Sequence, residues 1–253
     1  MNPVVVRNVR IGEGIPKICV PVTGVTKEDI IREAQSCTGI PADIVEWRAD
    51  WFEHIFDMDK TMEVLERLRT VLGQTPLLFT FRTSREGGEK PMEPQAYAAL
   101  NKAAARSGYT DLVDVEAFTG DGPVKDMIAA AHGCGVKVVA SNHDFHGTPE
   151  KDDIIGRLCR MQELGADICK IAVMPRSRAD VLTLLAATEE MYRLHADRPA
   201  VTMSMAGMGV ISRLCGEVFG SALTFGAAGR ASAPGQMDVQ DLAQVLSLLH
   251  KSL

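Results

Sequence analysis

The run Asp167-Ile168-Cys169-Lys170-Ile171-Ala172-Val173 sets one lysine in a stretch that is otherwise apolar or thiol after its leading acid. Read as a strand, it turns Ile168, Lys170 and Ala172 to one face and Cys169 and Ile171 to the other. An ammonium among such neighbours must find a partner or give up its proton. Two outcomes are open. The lysine sits near a strand end and its head reaches water, or it is a desolvated amine that attacks a ketone and forms an imine. From a reference pKa near 10.4, keeping it half neutral at pH 7 takes about 4–5 kcal/mol against the charged form. Apolar surroundings and nearby arginine charge supply part of that.

Groups that would serve such chemistry recur where other apolar segments end. Glu46-Trp47-Arg48 puts Glu46 and Arg48 on one face by the two-residue period. Thr80-Phe81-Arg82 runs into Thr83-Ser84-Arg85-Glu86-Gly87-Gly88, another segment ends Asp114-Val115-Glu116, and Ser141-Asn142-His143-Asp144 aligns Ser141 with His143. Met203, Met205 and then Arg213 follow a further segment, and Phe225 leads into the loop Gly226–Gln236. His143 has the intrinsic pKa to take a proton and return it, and Glu86 is available to orient its ring. The arginines suit a two-pronged hold on a carboxylate. A ketone bearing a carboxylate, losing a β-hydroxyl as water, fits this set. Each residue also has a plainer reading: structural ion pairs for Glu46, Arg48 and Glu116, a hydrogen-bonded histidine, and methionines filling the core. His143 and His146 have a metal-like spacing, but no third ligand is near and no metal is expected. Convergence at one end of the segments favours function.

The elements that must hold these residues repeat with one beat. Strands are expected at 17–22, 43–48, 77–82, 111–116, 136–142, 167–173, 200–205 and 222–226. Helical patterns follow at about 59–72, 94–107, 123–132, 149–164, 178–195, 208–219 and 238–251, with another after the capping residue Thr26. Gly73, Gly108 and Gly165 stand where helices should stop. Eight strands alternating with eight helices, without a composition break, predict one (β/α)8 barrel domain over 1–253. Residues 1–16 are expected to form a hairpin, turned near Asn8, that closes the barrel bottom. Active sites of such barrels lie at the C-terminal strand ends, which is where the polar residues fall.

A chain of 253 residues with 46% hydrophobic residues has material for one large core. Net charge of −6 argues against nucleic acid or an anionic membrane surface as partner. The six cysteines form no C-x-x-C pair, which suits reduced thiols and a cytoplasmic protein. No signal-peptide pattern opens the chain, and no apolar run approaches the roughly 20 residues of a membrane span.

Together, EWR at 46–48, FTFR at 79–82, EGG at 86–88, SNHDFH at 141–146, KIAVMP at 170–175, SMAGMGVISR at 204–213 and FGAAGRASAPGQ at 225–236 resemble the type I 3-dehydroquinate dehydratases. The resemblance runs from 17 to 251. It implies a barrel lyase, commonly dimeric, that converts 3-dehydroquinate to 3-dehydroshikimate in the shikimate pathway without metal or organic cofactor. The family's Schiff-base lysine then falls on Lys170, its general acid/base on His143, and the acid partnering that histidine on Glu86. Substrate contacts fall on Glu46, Arg48, Arg82, Arg213, Ser232 and Gln236, with Arg213 assigned to the carboxylate and the loop of Ser232 and Gln236 to a closing lid. Pro21 departs from a substrate-touching serine, and Gly207 from a frequent lysine. A class I aldolase would share the lysine but calls for a Gly-rich phosphate cup, and a non-catalytic metabolite sensor is the other rival.

Overall fold

The computed structural model describes residues 2–229 and 232–253. An antiparallel hairpin, β1 (Val4–Val6) and β2 (Val9–Ile11), precedes the repeating part. Eight parallel strands follow: β3 (Lys17–Val22), β4 (Ile44–Arg48), β5 (Leu77–Thr80), β6 (Leu112–Glu116), β7 (Lys137–Asp144), β8 (Ile168–Val173), β9 (Ala200–Ser204) and β10 (Leu223–Ala227). Each strand from β3 to β8 pairs with the next in order, and β10 pairs with β3. The ring closes between β9 and β10 through a bridge of Ala200 with Ser221 and a 2.8 Å bond from the Ala222 amide to the Ala200 carbonyl. The Ser221 hydroxyl takes over a ladder position there, accepting from the Thr202 amide at 3.0 Å. A short β11 (Met237–Asp238) adds beside the end of β10.

The helices are α1 (Lys27–Ser36), α2 (Met58–Leu72), α3 (Pro94–Arg106), α4 (Asp121–His132), α5 (Lys151–Glu163), α6 (Arg178–Glu190), α7 (Val210–Leu214), α8 (Gly216–Phe219) and α9 (Val239–His250). Thr26 caps α1 as expected, accepting from the Asp29 amide. Gly73, Gly108 and Gly165 all take positive φ at or just past a helix end. Two expected helices differ. The segment 178–195 is α-helical only to Glu190 and finishes as a π turn, Met191–His195. The segment 208–219 steps at Cys215, where Gly216 passes so near the chain that a Cβ would lie 2.7 Å from the Ser221 carbonyl oxygen. Among the described residues no helix is long and apolar enough to cross a membrane.

Strand alternation divides the core into two layers. Val20, Val45, Trp47, Phe79, Val113, Val138, Cys169 and Ile171 point outward and pack under the helices. Removing a large outward ring such as Phe79 should cost about 3–5 kcal/mol. Ile44, Leu78, Leu112, Val139, Ile168, Val201 and Leu223 point inward, and Val6, Val9 and Ile11 of the hairpin pack in the same cluster. The inward series of each strand begins apolar and ends polar: Ile44, Glu46, Arg48; Leu112, Asp114, Glu116; Val139, Ser141, His143. The apolar layer fills the barrel, so the polar groups above it gather at one mouth.

Candidate active site

Lys170 lies one inward step above Ile168 on β8 and is 5% exposed. Its Nζ sits 4.3 Å above the Phe225 ring and 4.0 Å from Asp114 Oδ2, beyond hydrogen-bond range. Asp114 Oδ2 is itself buried without a hydrogen bond among the described residues. Burial pulls the lysine pKa down from 10.5, with Arg82 acting the same way and Glu46 and Asp114 opposing. The snorkelling alternative is thereby set aside: the amine is inside, near the floor of the cleft.

In register, Ser141 on β7 stands beside Lys170, and His143 beside Ala172. His143 is therefore one inward step nearer the mouth than the lysine. Its Nδ1 is 2.9 Å from Glu86 Oε2, and its backbone amide donates to the same oxygen at 3.0 Å. Glu86 arrives on a 3-10 turn, Ser84–Glu86, after β5. That turn folds back so tightly that a Cβ on Gly88 would lie 1.9 Å from the Arg82 carbonyl oxygen. Burial drives both partners toward their neutral forms. Glu86 is pushed up to about 7 by burial and by Glu116 and Asp114, against Arg82 and the Asn142 hydrogen bond. His143 is pushed well below 6.5, first by burial, then by the charges of Arg82, Lys170 and Arg48. A neutral imidazole beside an amine is equipped to accept a proton.

The three arginines are not equivalent. Arg82 is engaged inside the protein: Nη2 donates to Asp114 at 2.7 Å, and Nη1 to Ser141 at 2.9 Å and Glu116 at 3.2 Å. Arg48 makes a two-pronged pair with Asp50, both contacts 2.8 Å, and leaves Nη1 without a bond among the described residues. Arg213, on α7, is 2% exposed and has no carboxylate partner among the described residues. Its Nη2 donates to the Pro234 carbonyl at 3.1 Å, Nη1 meets Met203 Sδ at 3.6 Å, and Nε is buried without a bond among the described residues. Burial alone lowers its pKa from 12.5 to about 10.

Glu46 accepts from Thr80 at 2.8 Å. Ser232 and Gln236 bond each other, the Ser232 amide donating to Gln236 Oε1 at 2.8 Å. Pro234 between them also accepts from the Ala206 amide at 3.2 Å, which seats this loop on the turn after β9. Arg230 and Ala231 of the same loop lie outside the described residues. All nine residues that the resemblance assigned to the site line one cleft of about 630 Å³, mouth included, while Asp114, Glu116 and Ser141 do not line it. Met203 and Met205 form its wall as well as core, while Pro21 and His146 do not line it. A Cβ on Gly207 would meet nothing within 4 Å among the described residues. Sequence reasoning missed Asp50 as the anchor of Arg48, Asp114 as the neighbour of Lys170, and Asn142 as a donor to Glu86. Only Asp50 had a local signal, two residues past Arg48 at a strand end.

The sequence model of the type I 3-dehydroquinase family matches residues 18–253. The 3-dehydroquinate dehydratase of Clostridioides difficile is 56% identical over 248 residues, 98% of this chain and 97% of that protein. That of Listeria monocytogenes serotype 4a is 56% identical over 251 residues, 99% of each. A crystal structure of the type I enzyme from Clostridium difficile, with covalent modified comenic acid, superposes with a TM-score of 0.97 at 56% identity, covering 100% of this chain and 99% of that one. The likeness thus spans fold, sequence and the whole length of the relatives. The aldolase and sensor readings give way to it, and the chain belongs to the type I 3-dehydroquinases, the 3-dehydroquinate dehydratases of the shikimate pathway.

Proposed function

We propose that the dehydration runs through an imine on Lys170. The neutral amine adds to the ketone carbon of 3-dehydroquinate, and the ketone oxygen leaves as water to give an iminium. His143 takes a proton from the adjacent carbon, and the electron pair moves into the iminium as an enamine. The enamine expels the β-hydroxyl, which collects a proton from His143 and departs as water. Water then adds to the iminium, freeing the amine and the enone, so the net change is loss of one water. Glu86 orients the ring throughout. Arg213 holds the substrate carboxylate, with Glu46, Arg48, Arg82, Ser232 and Gln236 around the ring of the substrate.

One observation carries this reading: a buried amine with a depressed pKa, without a hydrogen bond among the described residues and 4.0 Å from Asp114, at the floor of a cleft shared with a buried histidine. The same proposal holds residues 1–253 as one domain, and a homodimer in the cytoplasm, open to light scattering and cell fractionation. Borohydride added during turnover should fix substrate-derived mass on the peptide carrying Lys170, and Lys170→Ala should abolish both trapping and the ultraviolet signal of enone formation. Trapping on another lysine, or none from an active enzyme, would defeat the mechanism.

A further inference from the structure

Glu86 uses its two oxygens unequally. Oε2 takes both His143 contacts and lies 3.5 Å from Arg82 Nη1. Oε1 has one hydrogen-bond donor among the described residues, Asn142 Nδ2 at 3.3 Å. A carboxamide can offer either end to a neighbour, and only its surroundings decide which. Here Arg157 decides. A guanidinium carries donors alone, and its Nη1 reaches Asn142 Oδ1 at 3.0 Å, so the amide nitrogen must face Glu86. Arg157 is itself fixed from two elements. Asp144 at the end of β7 accepts from Nη1 at 3.2 Å, and Asp153 on α5 accepts from Nε at 3.2 Å and Nη2 at 2.8 Å. Neither Asn142 nor Arg157 lines the cleft.

We propose that Asn142 and Arg157 are positioning residues for the His143–Glu86 pair: Arg157 fixes the Asn142 amide, and the amide holds the second Glu86 oxygen so that the carboxylate stays ionised toward the ring. The proposal rests on the reading of His143 and Glu86 as the acid/base pair. The charged and titratable groups facing Glu86 are Arg82 beyond β5, Asp114 and Glu116 of β6, and His143 of β7. Arg82 favours the carboxylate, while burial and the two acids oppose it and bring the group to about 7. Near neutrality the carboxyl is thus balanced between its forms, where a single neutral donor matters most. A donor to the ionised form lowers an acid's pKa, so its loss moves Glu86 further upward.

The test is the pH profile of kcat/KM in full-length enzyme. Asn142→Ala should move the acid limb up by about one pH unit and regain much of its rate at alkaline pH. Arg157→Leu should move it the same way by less. Arg157→Lys, which still donates to the amide oxygen, should restore it. Because Arg157 acts through the amide, Arg157→Leu should add no further shift in the Asn142→Ala background. A loss of rate uniform across pH, or fully additive shifts in the double variant, overturns the proposal. Should Asn142→Ala fail to fold, the contrast of Arg157→Leu with Arg157→Lys decides: equal profiles refute it. Glu86→Ala is run alongside. If its acid limb also stays in place, the acid/base reading has failed and the positioning role falls with it; if only Glu86→Ala moves the limb, the positioning role alone is wrong.

Discussion

Arg213→Met removes a cation that is 2% exposed and that no carboxylate among the described residues neutralises, while keeping most of the side-chain volume. The fall of its pKa from 12.5 to about 10 by burial corresponds to a charged form destabilised by about 3 kcal/mol. The group stays protonated throughout the working range, so this cost is constant below about pH 10. Losing the bond to the Pro234 carbonyl returns about 1 kcal/mol. The ligand-free variant should therefore be more stable by about 2 kcal/mol, a rise in Tm of roughly 5 °C for a chain of this size. Catalysis should move the other way. A charge-assisted bond to a carboxylate is worth about 1.5–3 kcal/mol, so kcat/KM should fall by about 10–150-fold. The loss should sit mainly in KM if the carboxylate is held equally in ground and transition states. Arg213→Lys should recover charge but not the fork, and stand between the two. Differential scanning calorimetry without ligand and steady-state enone assays measure both sides. A lower Tm together with unchanged kcat/KM would refute the reasoning, and would move the carboxylate to Arg48 or Arg82.

His143→Ala should lose about 10²–10⁴-fold in kcat or more, since the one base serves several proton transfers. With Lys170 intact, intact-mass spectrometry should still find slow imine formation, and near-normal turnover would remove His143 from the mechanism. Glu86 gives a stability signature. Its carboxyl is raised from 4.5 to about 7, so the fold favours the protonated form, and stability present below about 4.5 is lost as pH rises through about 7, by about 3 kcal/mol in all. Thermal melts of Glu86→Gln should then gain on the wild type between about pH 5 and about pH 8, and a constant difference would contradict the buried-acid account. His143, depressed, contributes the opposite slope, with stability present above about 6.5 and lost on acidification, and it is retained in both proteins.

Much of the cleft was legible because strand periodicity is a local property. Glu46 and Arg48, or Ser141 and His143, share a face whatever the rest of the chain does. Once eight such strands lie parallel, their polar ends meet at one mouth. The helix stops at Gly73, Gly108 and Gly165 were equally local, since positive φ is cheap only without a Cβ. The break at Cys215 was not legible, since it coincides with a close approach of the next loop, where a Cβ on Gly216 would lie 2.7 Å from the Ser221 carbonyl oxygen.

Most charge partners belonged to the tertiary structure. By residue type the three arginines are alike, yet Arg82 is matched by Asp114 and Ser141, 32 and 59 residues away, while Arg213 is matched by no acid among the described residues. SNHDFH gave Asn142 no role, and only the structure shows Arg157, on a helix packed outside the barrel, turning its amide toward Glu86. The sequence by itself determined the two-residue alternation, the order of strands and the residue types at their ends. Which cation faces which carboxylate was decided by sheet register and barrel curvature, because Coulomb and hydrogen-bond energies depend on separations of a few ångströms that distance along the chain does not specify.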